Sequence, residues 1–158
     1  MSTHASRTLS SRGVRTALAA VAIVAALAGC GGAGTTPSAA LTTSGAWARP
    51  GPAGGETAAY LVIANAAGTA DTLVSASSPD ADSVGLHQTI TDASGMTGMQ
   101  PMTGIDIPAG GSVTLEPGGT HLMVTGLAKD LAAGGTLDLE LHFKNAGTVT
   151  VKASVKQP

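Results

Sequence analysis

The chain has 158 residues, 43% of them apolar, only 2% aromatic and 11% charged, with 22 glycines and a formal charge of −2. A single cysteine excludes a framework of internal disulfides and a thiolate metal cluster. The sparse, mixed charge excludes the basic footprint of a nucleic-acid binder.

The first thirty residues stand apart. Arg7, Arg12 and Arg15 precede an apolar, alanine-rich run over 16–27, which closes on Leu27-Ala28-Gly29-Cys30. This is the layout of a secretory signal peptide, and a Cys directly after Leu-Ala-Gly resembles a bacterial lipobox. The run is short for a bilayer span, which takes about 20 residues. Residues 1–29 are therefore expected to be a lipoprotein signal peptide and Cys30 the lipidated mature N-terminus. Residues 30–40, small and polar, read as a tether, and 41–158 as one folded domain held on the extracytoplasmic face of the membrane. From Cys30 onward five basic residues face ten acidic ones, a net charge of −5.

Beyond Leu41 the pattern is one of short strands separated by Gly, Pro, Asn and Asp. Strands are predicted over 43–48, 57–65, 71–77, 83–90, 105–107, 112–116, 121–125, 136–144 and 148–155, with 94–99 as a loop. The clearest alternation sets Leu137, Leu139, Leu141 and Phe143 against Asp138, Glu140, His142 and Lys144. No segment of the domain makes an amphipathic helix. Strands recurring every 8–12 residues or so predict an all-β, antiparallel sandwich or barrel. Trp47 and Tyr60 are assigned to the core, and His142 to a solvated strand face.

The chemistry concentrates in His121-Leu122-Met123. Alternation puts Leu122 and Val124 on one face, leaving His121 and Met123 side by side on the other. Every Met after the initiator lies between 96 and 123: Met96, Met99, Met102 and Met123. Met usually fills gaps in a core; Met96 and Met102 are read as loop packing, with a substitute place in a donor shell as the alternative. His87 follows Val84-Gly85-Leu86, so with Val84 and Leu86 facing the core, His87 faces outward as His121 does. Neighbouring strands bring such a pair within about 5 Å, and Met99 closes over them from its loop. The set His87, Met99, His121 and Met123 offers two nitrogens and two sulfurs, all neutral. Thioether-rich sets select Cu(I), whereas zinc prefers thiolate or carboxylate beside His. Only the imidazoles then compete with protons, so affinity falls with acid.

These residues resemble the PCu(A)C family of extracytoplasmic copper(I) chaperones. The family signature is His, usually Met, ten residues, Met, twenty-one residues, then His-x-Met. Here His87 and Gln88 are followed by ten residues, Met99, twenty-one residues and His121-Leu122-Met123. The likeness extends to Gly45-Ala46-Trp47-Ala48-Arg49-Pro50, Ala58-Ala59-Tyr60-Leu61, Asp106-Ile107-Pro108-Ala109-Gly110-Gly111 and Glu116-Pro117-Gly118-Gly119. Gln88 departs from the pattern at its optional Met. The resemblance implies a cupredoxin-like β domain that holds Cu(I) and delivers it to a cuproprotein. In the family such recipients include cytochrome c oxidase, often with a Sco-type thiol protein as partner.

Three other functions are weighed against this one. An electron-transfer cupredoxin needs a Cys thiolate beside its histidines, and Cys30 is committed to the lipobox. A copper-buffering lipoprotein would use the same donors, and a structural β-sandwich lipoprotein would use none. No Ser-His-Asp arrangement, paired carboxylates or nucleotide motif points to an enzyme.

Overall fold

A computed structural model describes residues 40–157. The predicted signal peptide, the Cys30 lipidation site and all of the tether but Ala40 fall outside them.

The alternating apolar residues form ten strands: β1 (Leu41–Ala48), β2 (Glu56–Asn65), β3 (Asp71–Ser77), β4 (Ala81–Thr91), β5 (Thr97–Pro101), β6 (Ile105–Ile107), β7 (Ser112–Leu115), β8 (Thr120–Leu127), β9 (Thr136–Phe143) and β10 (Gly147–Val155). No helix occurs among the described residues. Pairing runs β4-β8-β2-β1-β10-β9-β3, and β3 returns to β4 through Ala76 opposite Val84, closing a seven-stranded barrel. All these pairs are antiparallel except β1–β10, which joins the first and last strands in parallel. β5 extends β4, β6 extends β3, and β7 pairs with β2. The all-β expectation holds, with closure choosing the barrel over the sandwich.

The barrel is filled by the inward set that alternation predicts. Leu137, Leu139, Leu141, Leu122, Val124, Leu73, Ile63 and Ile107 are wholly buried. One ladder row crosses four strands, Ala48 to Ala59 to Leu122 to Leu86, and is buried throughout. Alternation then sends the neighbouring residues of β2, β8 and β4 outward.

Two features depart from the sequence expectation. Residues 97–101 form a strand, so Met99 stands on a ladder rather than in a loop. All five residues of β5 are exposed, so no buried face marks it in the sequence, and its pairing with the far end of β4 alone defines it. The second is a bulge in β1. Ser44 lies opposite Val62 but Trp47 opposite Tyr60, so one extra residue is accommodated, at Gly45 with φ of 61°. The extra residue flips the alternation, turning Ala48 inward and Trp47 outward.

Candidate metal centre

The outward row beside that buried ladder row carries four rings. Trp47 pairs with Tyr60, and His121 lies directly opposite His87. Their centroids are 4.5 Å apart for Trp47 and Tyr60, 6.3 Å for Tyr60 and His121, and 6.1 Å for His121 and His87. One row further along, Met123 lies between Ala58 and Gly85. Met99 lies opposite Thr89, two residues on from His87 and on the same face. Three adjacent strands, β5, β4 and β8, thus bring His87, Met99, His121 and Met123 to one patch of the outer surface.

The patch is not an open plateau. His121 is only 5% exposed, although its strand face is the outward one. The turn before β8 covers it: Gly119 N–H donates to the Glu116 carbonyl, Glu116 N–H to that of Thr120, and Gly118 takes a φ of 79° that suits glycine. This turn aims the Gly119 carbonyl at two donors, the Thr89 N–H at 3.1 Å and His121 Nδ1 at 3.1 Å. A carbonyl only accepts, so Nδ1 of His121 carries the proton and Nε2 keeps its lone pair. Such a bond on the far ring nitrogen is how ligand histidines are held in one tautomer.

His87 is half-buried, and its Nδ1 is buried without any hydrogen-bond partner. A buried polar atom without a partner costs about 1–3 kcal/mol, a cost that an ion or a proton acceptor at this ring relieves. The 6.1 Å between the ring centroids leaves room for one ion with a nitrogen of each ring about 2 Å away. Met123 is half-buried, while Met99 is 60% exposed at the rim. A cleft of about 340 Å³ opens over His121, Met123 and Met99, walled by Tyr60, Thr89 and Pro117 with Arg49 and Glu56 at its edge. Among the described residues no three His, Cys, Asp or Glu side chains gather to hold a metal. The further side-chain donors beside the two imidazoles are the thioethers of Met99 and Met123, and thioether sulfur favours a soft ion.

The remaining candidates fall elsewhere. Gln88 is exposed on the face opposite His87. Met102 packs against the core, in line with the packing reading, but Met96 is 69% exposed at the β4–β5 turn. His142 is not simply solvated, since its ring bridges Ser77 Oγ at 3.0 Å and Thr148 Oγ1 at 3.1 Å. Tyr60, assigned to the core, is buried but outside the main apolar cluster, against His121. The Arg49 guanidinium lies 6.0 Å over the Tyr60 ring and the Lys156 ammonium 5.2 Å over Trp47. The signal for this row was Gly45, since a glycine inside a strand marks a bulge.

The family model described as "Putative lipoprotein LpqE-like" matches residues 41–155, the whole barrel. The chain belongs to the LpqE-like family. A relative within reach of this LpqE-like chain is "Putative lipoprotein Lxx21020" of Leifsonia xyli subsp. xyli, 34% identical over 116 residues, covering 73% of this chain and 69% of the relative. Among solved structures, the copper-bound PCuAC domain from PmoF2 is similar at 28% identity and a TM-score of 0.63, over 75% of this chain and 94% of that one. The Cu(I)-bound form of DR1885 from Deinococcus radiodurans is similar at 33% identity and a TM-score of 0.56, over 78% and 85%. The PCuAC resemblance read from the sequence therefore holds, and with it the cupredoxin-like barrel.

Proposed function

We propose that this LpqE-like protein is an extracytoplasmic Cu(I) chaperone, lipid-anchored through Cys30. In this reading it holds the ion between His87, Met99, His121 and Met123 and hands it to a cuproprotein such as cytochrome c oxidase, directly or through a Sco-type protein. The observation that carries the reading is the cross-strand pair His87–His121, with Nε2 of His121 left free by the Gly119 carbonyl and His87 Nδ1 buried without a partner. Two similar structures are described as copper- or Cu(I)-bound, which supports the same cargo here.

The donor set suits a carrier rather than a reaction centre. Two imidazoles and two thioethers are neutral, so a bound Cu(I) keeps a single positive charge, and no thiolate locks it in place. The donors also differ in access. Met99 stands exposed at the rim, while His121 is buried beneath the turn. An incoming ligand from a recipient replaces Met99 first, through the open cleft, and the buried imidazole lets go last. Stepwise exchange keeps the ion coordinated throughout and avoids releasing it to water.

The test is an anaerobic Cu(I) titration of the detergent-solubilised chain against a competing chelator, repeated with His121→Ala and Met123→Ala. One tight equivalent is expected, weakened at least about tenfold in each variant. Equal binding in all three proteins, or none in the parent, would overturn the reading.

A further inference from the structure

Gly85 sits in the interior of β4, where a glycine weakens a strand unless something must approach its backbone closely. It lies directly opposite Met123, two residues before His87, and faces the same side as both. A Cβ placed on Gly85 would stand 2.8 Å from His87 Nε2 and 3.0 Å from its Cδ2. The His87 imidazole therefore leans along the strand into the volume that any other side chain at position 85 would fill. Gly85 has no positive φ, so the turn chemistry that calls for glycine elsewhere does not explain it here.

We infer that Gly85 is a positioning residue of the centre: its missing side chain gives the His87 ring its place beside Met123 and opposite His121. This rests on the His/Met reading of the site. A methyl group at position 85 displaces the ring towards Thr89, away from Met123, and spreads the donors. The atom it meets is the far end of a side chain rather than backbone, so the ring gives way and the strand does not. Alanine also suits a strand better than glycine. Copper affinity and fold stability are thus expected to move in different directions, which a merely structural glycine would not produce.

Gly98 supplies the matched control. It too lies within a strand, next to Met99, but nothing stands within 4 Å of a Cβ built there. The experiment is Cu(I) titration against a competing chelator for the parent, Gly85→Ala, Gly98→Ala and His121→Ala, all as full chains in detergent. Thermal unfolding and the imidazole NMR resonances of the copper-free proteins accompany it. Gly85→Ala is expected to weaken Cu(I) binding by on the order of tenfold or more, shift the His87 ring resonances and leave the melting temperature unchanged or raised. Gly98→Ala is expected to bind as the parent does. If the parent binds and His121→Ala does not, yet Gly85→Ala matches the parent, the inference fails and the His/Met reading stands. Equal weakening in Gly85→Ala and Gly98→Ala also overturns it. No binding by the parent, or binding unaffected by His121→Ala, removes the reading itself.

Discussion

Four methionine sulfurs sit within one stretch of sequence, but the fold gives them different exposure. Met96 and Met99 are 69% and 60% exposed, while Met102 and Met123 are partly covered. Peroxide adds an oxygen to an accessible thioether and turns a soft donor into a hard one. Mild peroxide treatment followed by peptide mass mapping is expected to find sulfoxide at Met96 and Met99 before Met102 and Met123. Ag(I), a redox-inert ion of the same charge and softness as Cu(I), is expected to shield Met99 and leave Met96 unprotected. Shielding of neither would remove Met99 from the donor set. Strand alternation alone made the outward direction of His87, His121 and Met123 legible in the sequence. The burial of His121 was not, because it comes from the Gly118–Gly119 turn and from Tyr60, neither of which is a neighbour in an alternating pattern.

Nine of the strands announced themselves by their apolar residues, since each places at least one side chain in the core. β5 did not, having no buried residue, and it exists because β4 runs on past the core and offers unpaired backbone. Its turn is held locally, with Asp92 Oδ1 accepting from Ser94 N–H, Ser94 Oγ–H and Met96 N–H. These bonds hold the Asp92 carboxyl below the ordinary carboxylate value, the Ser94 hydroxyl foremost. Strands held by exposed ladder bonds open locally with low free energy. Amide hydrogen exchange is therefore expected to be fast across Thr97–Pro101 and slow along Thr120–Leu127, whose Leu122 and Val124 are wholly buried. Equal protection of the two strands would contradict this. Gly45 teaches a similar lesson: the strand was legible, but its bulge changed which residues face out, and so carried Trp47 onto the ring row.

Closure of the barrel is a long-range property that no local pattern encodes. The closing pair has one registered contact, Ala76 with Val84, and the turn between β3 and β4 is reinforced from outside. Asp80 accepts from the Asp138 N–H at 3.1 Å and pairs with Lys129 at 3.0 Å, while Ser78 Oγ donates to the Asp138 carbonyl. The Asp138 N–H foremost, then Lys129, holds the Asp80 carboxyl below its ordinary value of 3.8. A carboxyl with a lower pKa in the folded state stabilises that state above its unfolded value. The contribution fades as pH falls below about 3.8 through the folded value. Asp80→Asn keeps an acceptor but not the charge. It is expected to cost about 1 kcal/mol at neutral pH, discounted because Lys129 is largely exposed. It should also flatten the acid limb of a stability–pH profile measured by denaturant unfolding. An unchanged acid limb would assign that limb to other carboxylates.

The parallel seam between β1 and β10 gives the first strand a fixed place in the barrel wall. Its eight residues carry the chain from Leu41 to Ala48, roughly 23 Å, with Arg49 at the edge of the cleft just beyond. The chain thus enters the barrel at the end of β1 remote from the candidate metal centre. In the proposed reading, with Cys30 lipidated, the ten residues from Gly31 to Ala40 reach at most about 35 Å. Confinement of that kind turns a search through solution into a search within a thin layer above the bilayer, where effective concentrations of membrane-held recipients are high. Encounter frequency then need not come from long-range charge attraction. That suits a domain whose net charge of −5 would otherwise slow its approach to an acidic recipient.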